Sequence, residues 1–409
     1  MRRWFAGAFG PALAGLLLAA PPAVAQAQAQ AQAPAERDPF AHFYAAPDLD
    51  RVPALLREAE AKGLLARPDA IAPIAGFLAG LFLQHPERID GWLTEPYAAG
   101  IEPVLATALM LAGERGRAAA FVALRPWPGD VQARLLAPRP DLRVATILSP
   151  ADLDALWGAC FATGDPAYAA RILDHVTDAL GAGAAVGDLL LASDVAYTRT
   201  PEGQAAMQAL RGRLDEAGLR RAVMGAAALW GLASNSGQHD FVRLLVERRI
   251  AEAPGSDLGY ALARAGFRQA RPLVVQGGGD GAKALVSFVA DPGFSAAAAA
   301  AGVRDIEAVF RRYARNDFAI GEPVRVAVVL LLPAQRRVEY RVRVRPPAGE
   351  AFELGPFPVE AGATPRIEYG LVALDAARQT AIGAHEVELT VSDVGARWSV
   401  AHGFFLGRP

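Results

Sequence analysis

The sequence predicts an α+β multidomain protein, an irregular stack of α-hairpins followed by a small antiparallel β-sandwich. Three observations carry this. Apolar residues recur at helical spacing from about residue 40 to about 270, and the period switches to two from about residue 316. A glycine- and alanine-rich stretch separates the two regimes.

The chain has 409 residues, enough for two or three domains with sizeable cores. Its first 25 residues read as a signal peptide. Arg2 and Arg3 form a positive start, an apolar run ends near Leu16-Leu17-Leu18, and Ala23-Val24-Ala25 offers a small-residue cleavage site. Residues 26–39 form a Gln/Ala-rich tail with nothing to bury, expected to be disordered. The expected location is the periplasm or the outside of the cell, where ATP-driven chemistry is absent. No later apolar run reaches the ~20 residues that span a bilayer, so no membrane span is expected after cleavage. Without Arg2 and Arg3 the formal net charge moves from -2 to about -4, too close to neutral for a nucleic-acid footprint. The single cysteine, Cys160, excludes an intramolecular disulfide.

The helical region is expected over residues 40–270. Val52, Leu55, Leu56 and Ala59 share one helix face, and Ile71 to Leu83 is apolar nearly all round, as in a central helix. Ser149-Pro150-Ala151-Asp152 is a helix start, with a hydroxyl cap, proline in the first turn and an acid behind it. Leu156-Trp157-Gly158 recurs as Leu229-Trp230-Gly231, an offset at which Gly164 meets Gly237 and Tyr168 meets Phe241. Each copy reads as a helix, a short turn and a second helix that packs back on the first. The spacing of the other hairpins is uneven, so the stack is TPR/HEAT-like but irregular.

The two hairpin segments, LWGACFATGDPAYAARIL and ALWGLASNSGQHDFVRLL, resemble secreted helical-hairpin proteins of Gram-negative bacteria over about residues 40–250. That family brings no known activity or site residues, so the resemblance implies architecture alone.

Residues 271–315 are expected to be a Gly/Ala-rich linker with a helix at Asp305 to Arg312. The β-sandwich is expected over residues 316–409. Val338, Tyr340, Val342 and Val344 alternate with charged residues, the mark of a strand with one dry and one wet face. Turn signals at Pro346 to Gly349, Ala361-Gly362 and Ser392-Asp393 space the strands as in immunoglobulin-like modules.

Chemistry is sparse. No G-x-S-x-G elbow occurs, and Ser236, His239 and Asp240 sit too close along one turn to converge as a triad. Cys160 lies in an apolar helix where a thiol is ordinary packing, although His175 in the other arm is a possible partner. Histidines are scattered singly, without metal-ligand spacing. The Gly277 to Lys283 stretch misses the phosphate-loop pattern, so no catalytic residue, metal or cofactor is expected. Two features suit binding. Arg337, Arg341, Arg343 and Arg345 form a positive stripe that either meets an acidic partner or blunts an edge strand, the second being preferred because it needs no ligand. Trp157 and Trp230, with Phe40, Phe43, Tyr44 and Trp92, either line a groove between hairpins or fill the core. The function expected from these readings is an exported, non-enzymatic scaffold of the cell envelope. Its partner would be a protein or peptide on the helical surface and not a nucleic acid. The alternative is a hydrolase of a cell-wall or carbohydrate polymer with its site between the domains.

Overall fold

A computed structural model gives the fold over residues 39–195, 201–253, 255–269, 273–278, 281–290, 293–374, 381–393 and 396–408. The expected signal peptide and nearly all of the 26–39 tail lie outside these described residues. The chain divides into two units, one running to Ala261 and the other from Leu262 onward. Helices precede strands, as the sequence predicts.

The helical unit opens with a short turn at Phe43–Ala45, then α1 (Val52–Ala61) and α2 (Pro68–Gln84). In α1 the buried side chains are Val52, Leu55, Leu56 and Ala59 with Pro53, the face predicted from spacing. Burial of each large aliphatic contributes roughly 1.5–3 kcal/mol. From Ile74 to Phe82 every residue of α2 is buried, so this helix is enclosed by its neighbours. Then come α3 (Ile89–Thr94), α4 (Glu102–Leu111), α5 (Arg115–Ala123) and α6 (Gly129–Leu135).

The two repeated hairpins follow. The first pairs α7 (Pro150–Thr163) with α8 (Pro166–Gly181). Ser149 and Asp152 cap α7 reciprocally, and Ser149 N–H donates to Asp152 Oδ2 at 2.8 Å. Gly164, at φ 67°, ends α7 in the left-handed region where a side chain would be strained. After α9 (Val186–Val195) and α10 (Pro201–Arg213), the second hairpin pairs α11 (Glu216–Ser236) with α12 (Asp240–Glu252), and α13 (Asp257–Gln269) closes the series. The repeats interlock, because the Trp157 indole lies where a Cβ on Gly231 would come within 2.8 Å of its nitrogen. Both tryptophans belong to the core, Trp157 at 8% and Trp230 at 4% exposure, so neither lines an open groove.

The tightest packing joins α2 to α7. A Cβ built on Gly76 would lie 2.0 Å from the Ala155 carbonyl oxygen, and one on Gly158 would lie 2.0 Å from that of Pro73. Gly80 meets Ala159 one turn further along, so both helices advance in the same direction.

The second unit is a sandwich with an added helical layer. One sheet has the order β1 (Leu273–Gly278), β2 (Ala282–Val289), β4 (Arg325–Leu332), β7 (Arg366–Ala373), all antiparallel. The other has the order β3 (Asp317–Ala319), β9 (Ala396–Gly407), β8 (Gly383–Asp393), β5 (Val338–Arg345), β6 (Phe352–Val359), antiparallel except β3 beside β9. The inner faces close over Val286, Phe288, Val328, Val342, Leu389 and Phe404. The long helix α14 (Phe294–Tyr313) covers the outer face of the first sheet through Phe294, Ile306 and Phe310. The end of α13, from Leu262, belongs to this unit, where Asp317 accepts from Arg264 Nε at 2.9 Å and from Arg268 Nε at 2.7 Å.

The expected linker over 271–315 is therefore corrected. It holds β1, β2 and the whole of α14. In β2 the alternation is invisible because both faces are dry: Ala284, Val286 and Phe288 face the sandwich, while Leu285 and Val289 lie under α14. The alanine run of 296–301 is helix, in keeping with alanine's propensity. Gly277 and Gly278 pair with Lys283 and Ala282 across the β1–β2 hairpin and are neither linker nor phosphate loop.

The Gly158→Ala substitution should lower stability by about 3 kcal/mol, the upper end for overpacking a tight core. Gly91→Ala in α3, where an added Cβ meets nothing within 4 Å, should be neutral or gain up to about 1 kcal/mol. Urea midpoints of the two variants check this, and equal midpoints would show that the α2–α7 contact can relax.

Candidate functional site

Three titratable side chains, His42, Tyr44 and His239, come together in the helical unit, where the chain's first described residues meet the second hairpin. The turn between α11 and α12 places His239 at the N-terminus of α12 in extended geometry. Its carbonyl accepts from Val242 and Arg243, and its N–H donates to Asn235 O at 2.9 Å. These bonds hold the ring inward, where it is 1% exposed.

Four rings surround it. Phe161 of α7 stacks on His239 with centroids 4.7 Å apart, and Phe241 packs at 5.8 Å. His42 lies at 4.9 Å, and Tyr44 Oη is hydrogen-bonded to His239 Nδ1 at 3.1 Å. Tyr44 also packs edge-on against Phe241 at 5.0 Å and rests over Gly164, where a Cβ would come within 3.0 Å of its ring. The same segment plugs a second seat. Phe40 and Phe43, both 5% exposed, meet the Phe77 ring edge-on at 5.2 and 5.1 Å.

Burial in this apolar shell pushes the His239 imidazole well below its ordinary value, and the neighbouring His42 pushes it the same way. What faces His239 is His42 and Tyr44 from the first segment, Phe161 from α7 and Phe241 from its own helix. The adjacent Asp240 is ion-paired with Arg243 at 3.2 Å. A buried imidazole bonded to a phenol among half-buried rings resists taking up a proton, because the charged form would lose its solvation.

Other sequence candidates are dispersed. Ser236 Oγ donates to the Ala233 carbonyl at 2.8 Å, so Ser236, His239 and Asp240 each have different partners and form no triad. Cys160 Sγ lies 3.9 Å from the Asp165 carbonyl, and the charge acting on His175 is Asp178, so the two are not brought together. Burial pushes the Cys160 thiol far up. Asp154 is likewise driven well above the usual carboxylate range, first by burial and then by Asp69, which is itself bonded to Arg67. His385 and His402 are buried in the sandwich, on Phe404 at 4.6 Å and Phe288 at 4.8 Å. Among the described residues no three His, Cys, Asp or Glu gather as metal ligands, and no helix is long and apolar enough to cross a membrane.

The arginine stripe sits on an interior strand, since β5 lies between β8 and β6, so edge protection is not its role. The alternation itself holds, with Val338, Tyr340, Val342 and Val344 buried. Its wet face is answered by carboxylates. Arg341 pairs with Glu339 and Glu353 at 3.0 Å, Arg345 with Glu386 at 2.6 Å, and Arg337 with Glu360 at 3.2 Å. Arg343 stands in register with Glu353 on β6 and Glu388 on β8. The actual edge, β6, carries Pro356 and Pro358, which withhold ladder donors.

No family model matches the sequence, and a search of curated proteins returns no match. Among solved structures, a Pseudomonas fluorescens alkylpurine DNA glycosylase, AlkC, bound to DNA containing an abasic site analog, matches at 13% identity and a TM-score of 0.18. The match covers 81% of this chain and 99% of that one. The expectation of a non-enzymatic envelope scaffold with a protein or peptide partner and no nucleic acid, together with its wall-hydrolase alternative, is withdrawn. Its physical supports have gone, because the tryptophans are core and the arginine stripe is paired. A likeness of this size carries no argument about the chemistry of this chain.

Native Cys160 should resist a disulfide-exchange thiol reagent, while the denatured chain should release one equivalent. Rapid labelling of the native chain would show that its thiol is reachable.

Proposed function

We propose that the chain is exported and that its helical unit is proton-responsive, closing on its own first segment at neutral pH and opening in acid. The observation that carries this is the Tyr44–His239 hydrogen bond of 3.1 Å, made to a buried ring that half-buried His42 also packs against. Export is supported by Arg2 and Arg3, the apolar run behind them and Ala23-Val24-Ala25. A protein outside the cytoplasm meets the pH of the medium, a range in which histidine changes charge.

The sign follows from linkage. His239 is depressed below its ordinary 6.5 while the segment is closed, whereas the opened ring takes up a proton near 6.5. Closure is thus fully stable above 6.5 and weakens as pH falls below it. The loss is at most about 1.4 kcal/mol per pH unit for each proton taken up. His175 and His385 are also depressed by burial and lower global stability in the same direction, so a local readout is needed.

That readout exists in the amides of Phe43, Ala45 and Ala46, which donate to Phe40, His42 and Phe43 carbonyls at 3.2, 3.0 and 3.1 Å. Their hydrogen-exchange protection should fall up to about tenfold per pH unit below 6.5, ahead of amides in α2. His239→Phe, which keeps the ring packing, should flatten this dependence. Tyr44→Phe should lower protection at every pH by about fivefold, one neutral hydrogen bond. An unchanged pH dependence in His239→Phe would remove the proposal. Export is tested separately, by sequencing the N-terminus of the protein outside the cytoplasm. Gln26 is expected there, and an intact Met1 retained in the cytoplasm would overturn it.

A further inference from the structure

We propose that the opened seat accepts the Phe40–Tyr44 segment of a second copy of this chain, giving a segment-exchanged dimer. The inference rests on the proton-responsive reading above and adds the occupant of the vacated surface.

The segment is a self-contained plug. Phe40 and Phe43 enter the seat at Phe77, while His42 and Tyr44 enter the seat at His239, Phe161 and Gly164. Two of its backbone hydrogen bonds are internal, from Phe43 N–H to Phe40 O and from Ala45 N–H to His42 O, and these travel with it wherever it docks. The residues behind it are suited to a hinge. Ala45, Ala46, Pro47 and Asp48 are all exposed, and regular helix resumes only at Val52. Pro47 favours an extended path over a folded-back one.

When the plug leaves, it uncovers an aromatic surface around Phe77 and Phe161 that water solvates poorly. Two fates restore burial: return of the same plug, or arrival of the identical plug from another copy. The contacts are the same in both, so the choice is set by concentration against the effective concentration of the short tether. A single chain closes on itself when dilute. Opened chains at high concentration exchange, and neutral pH then traps the exchanged form because closure regains its full stability.

The test brings the full chain to about pH 5 at about 1 mM, comparable to the effective concentration of a short tether, and returns it to neutrality. Mass is then read by light scattering after gel filtration. Dimers are expected after the acid step at high concentration, and monomers after the same step at about 1 μM or without it. A photoreactive phenylalanine analogue at position 40, with one copy isotopically labelled, identifies the seat. Cross-links from position 40 to α2 should join heavy and light copies. Three outcomes overturn the proposal. If the amides of the segment lose protection in acid but no dimer forms at any concentration, exchange fails while the proton response stands. If dimers form with cross-links confined within each copy, they are held elsewhere and exchange fails. If the amides keep their protection in acid, the proton response fails and exchange falls with it.

Discussion

The helical unit depends on one close approach, that of α2 to α7. Gly76 and Gly158 let the two backbones come together so closely that a methyl group on either would overlap a carbonyl oxygen. Dispersion falls steeply with distance, so two helices at this separation gain contacts that larger side chains would hold apart. This contact also builds the candidate site. Phe77 on α2 and Phe161 and Gly164 at the far end of α7 form the floor on which the first segment rests. The second hairpin reuses the device, with Trp157 filling the space above Gly231.

The sandwich unit solves the same problem with layers. The strands β2 and β4 are buried on both faces, one by the opposing sheet and the other by α14. A strand in that position gains hydrophobic burial from every residue and loses the alternation by which strands are recognised. Between the sheets, Tyr340 reaches across to Gly370, where a Cβ would lie 2.3 Å from its hydroxyl oxygen. The glycine admits a ring that the rest of the inner face could not accommodate.

The site illustrates how polar chemistry is placed in a dry interior. His239 is held by backbone bonds at the start of α12, and its ring is answered by one phenol and three other rings. Every proton uptake there must overcome the loss of solvation, which links a local hydrogen bond to the closure of a whole segment. Burial also pushes Cys160 and Asp154 toward their neutral forms, Asp154 with Asp69 acting in the same direction.

Much of this was written locally in the chain. The face of α1, the cap formed by Ser149 and Asp152, the alternation of β5 and the helices-then-strands order all follow from spacing within a few turns. So does the reading of Cys160 as packing. Tertiary structure alone decided what lies on the other side of each surface. Tyr44 and His239 stand 195 residues apart, and no periodic pattern connects them. The arginines of β5 read as a bare stripe until β6 and β8 brought Glu353 and Glu386 beside them. The strand β2 looked like linker until α14 covered its second face. Local sequence sets which side of an element avoids water, because that depends only on the residues within the element. The distant residue that fills the dry side is chosen by shape and charge in the folded chain.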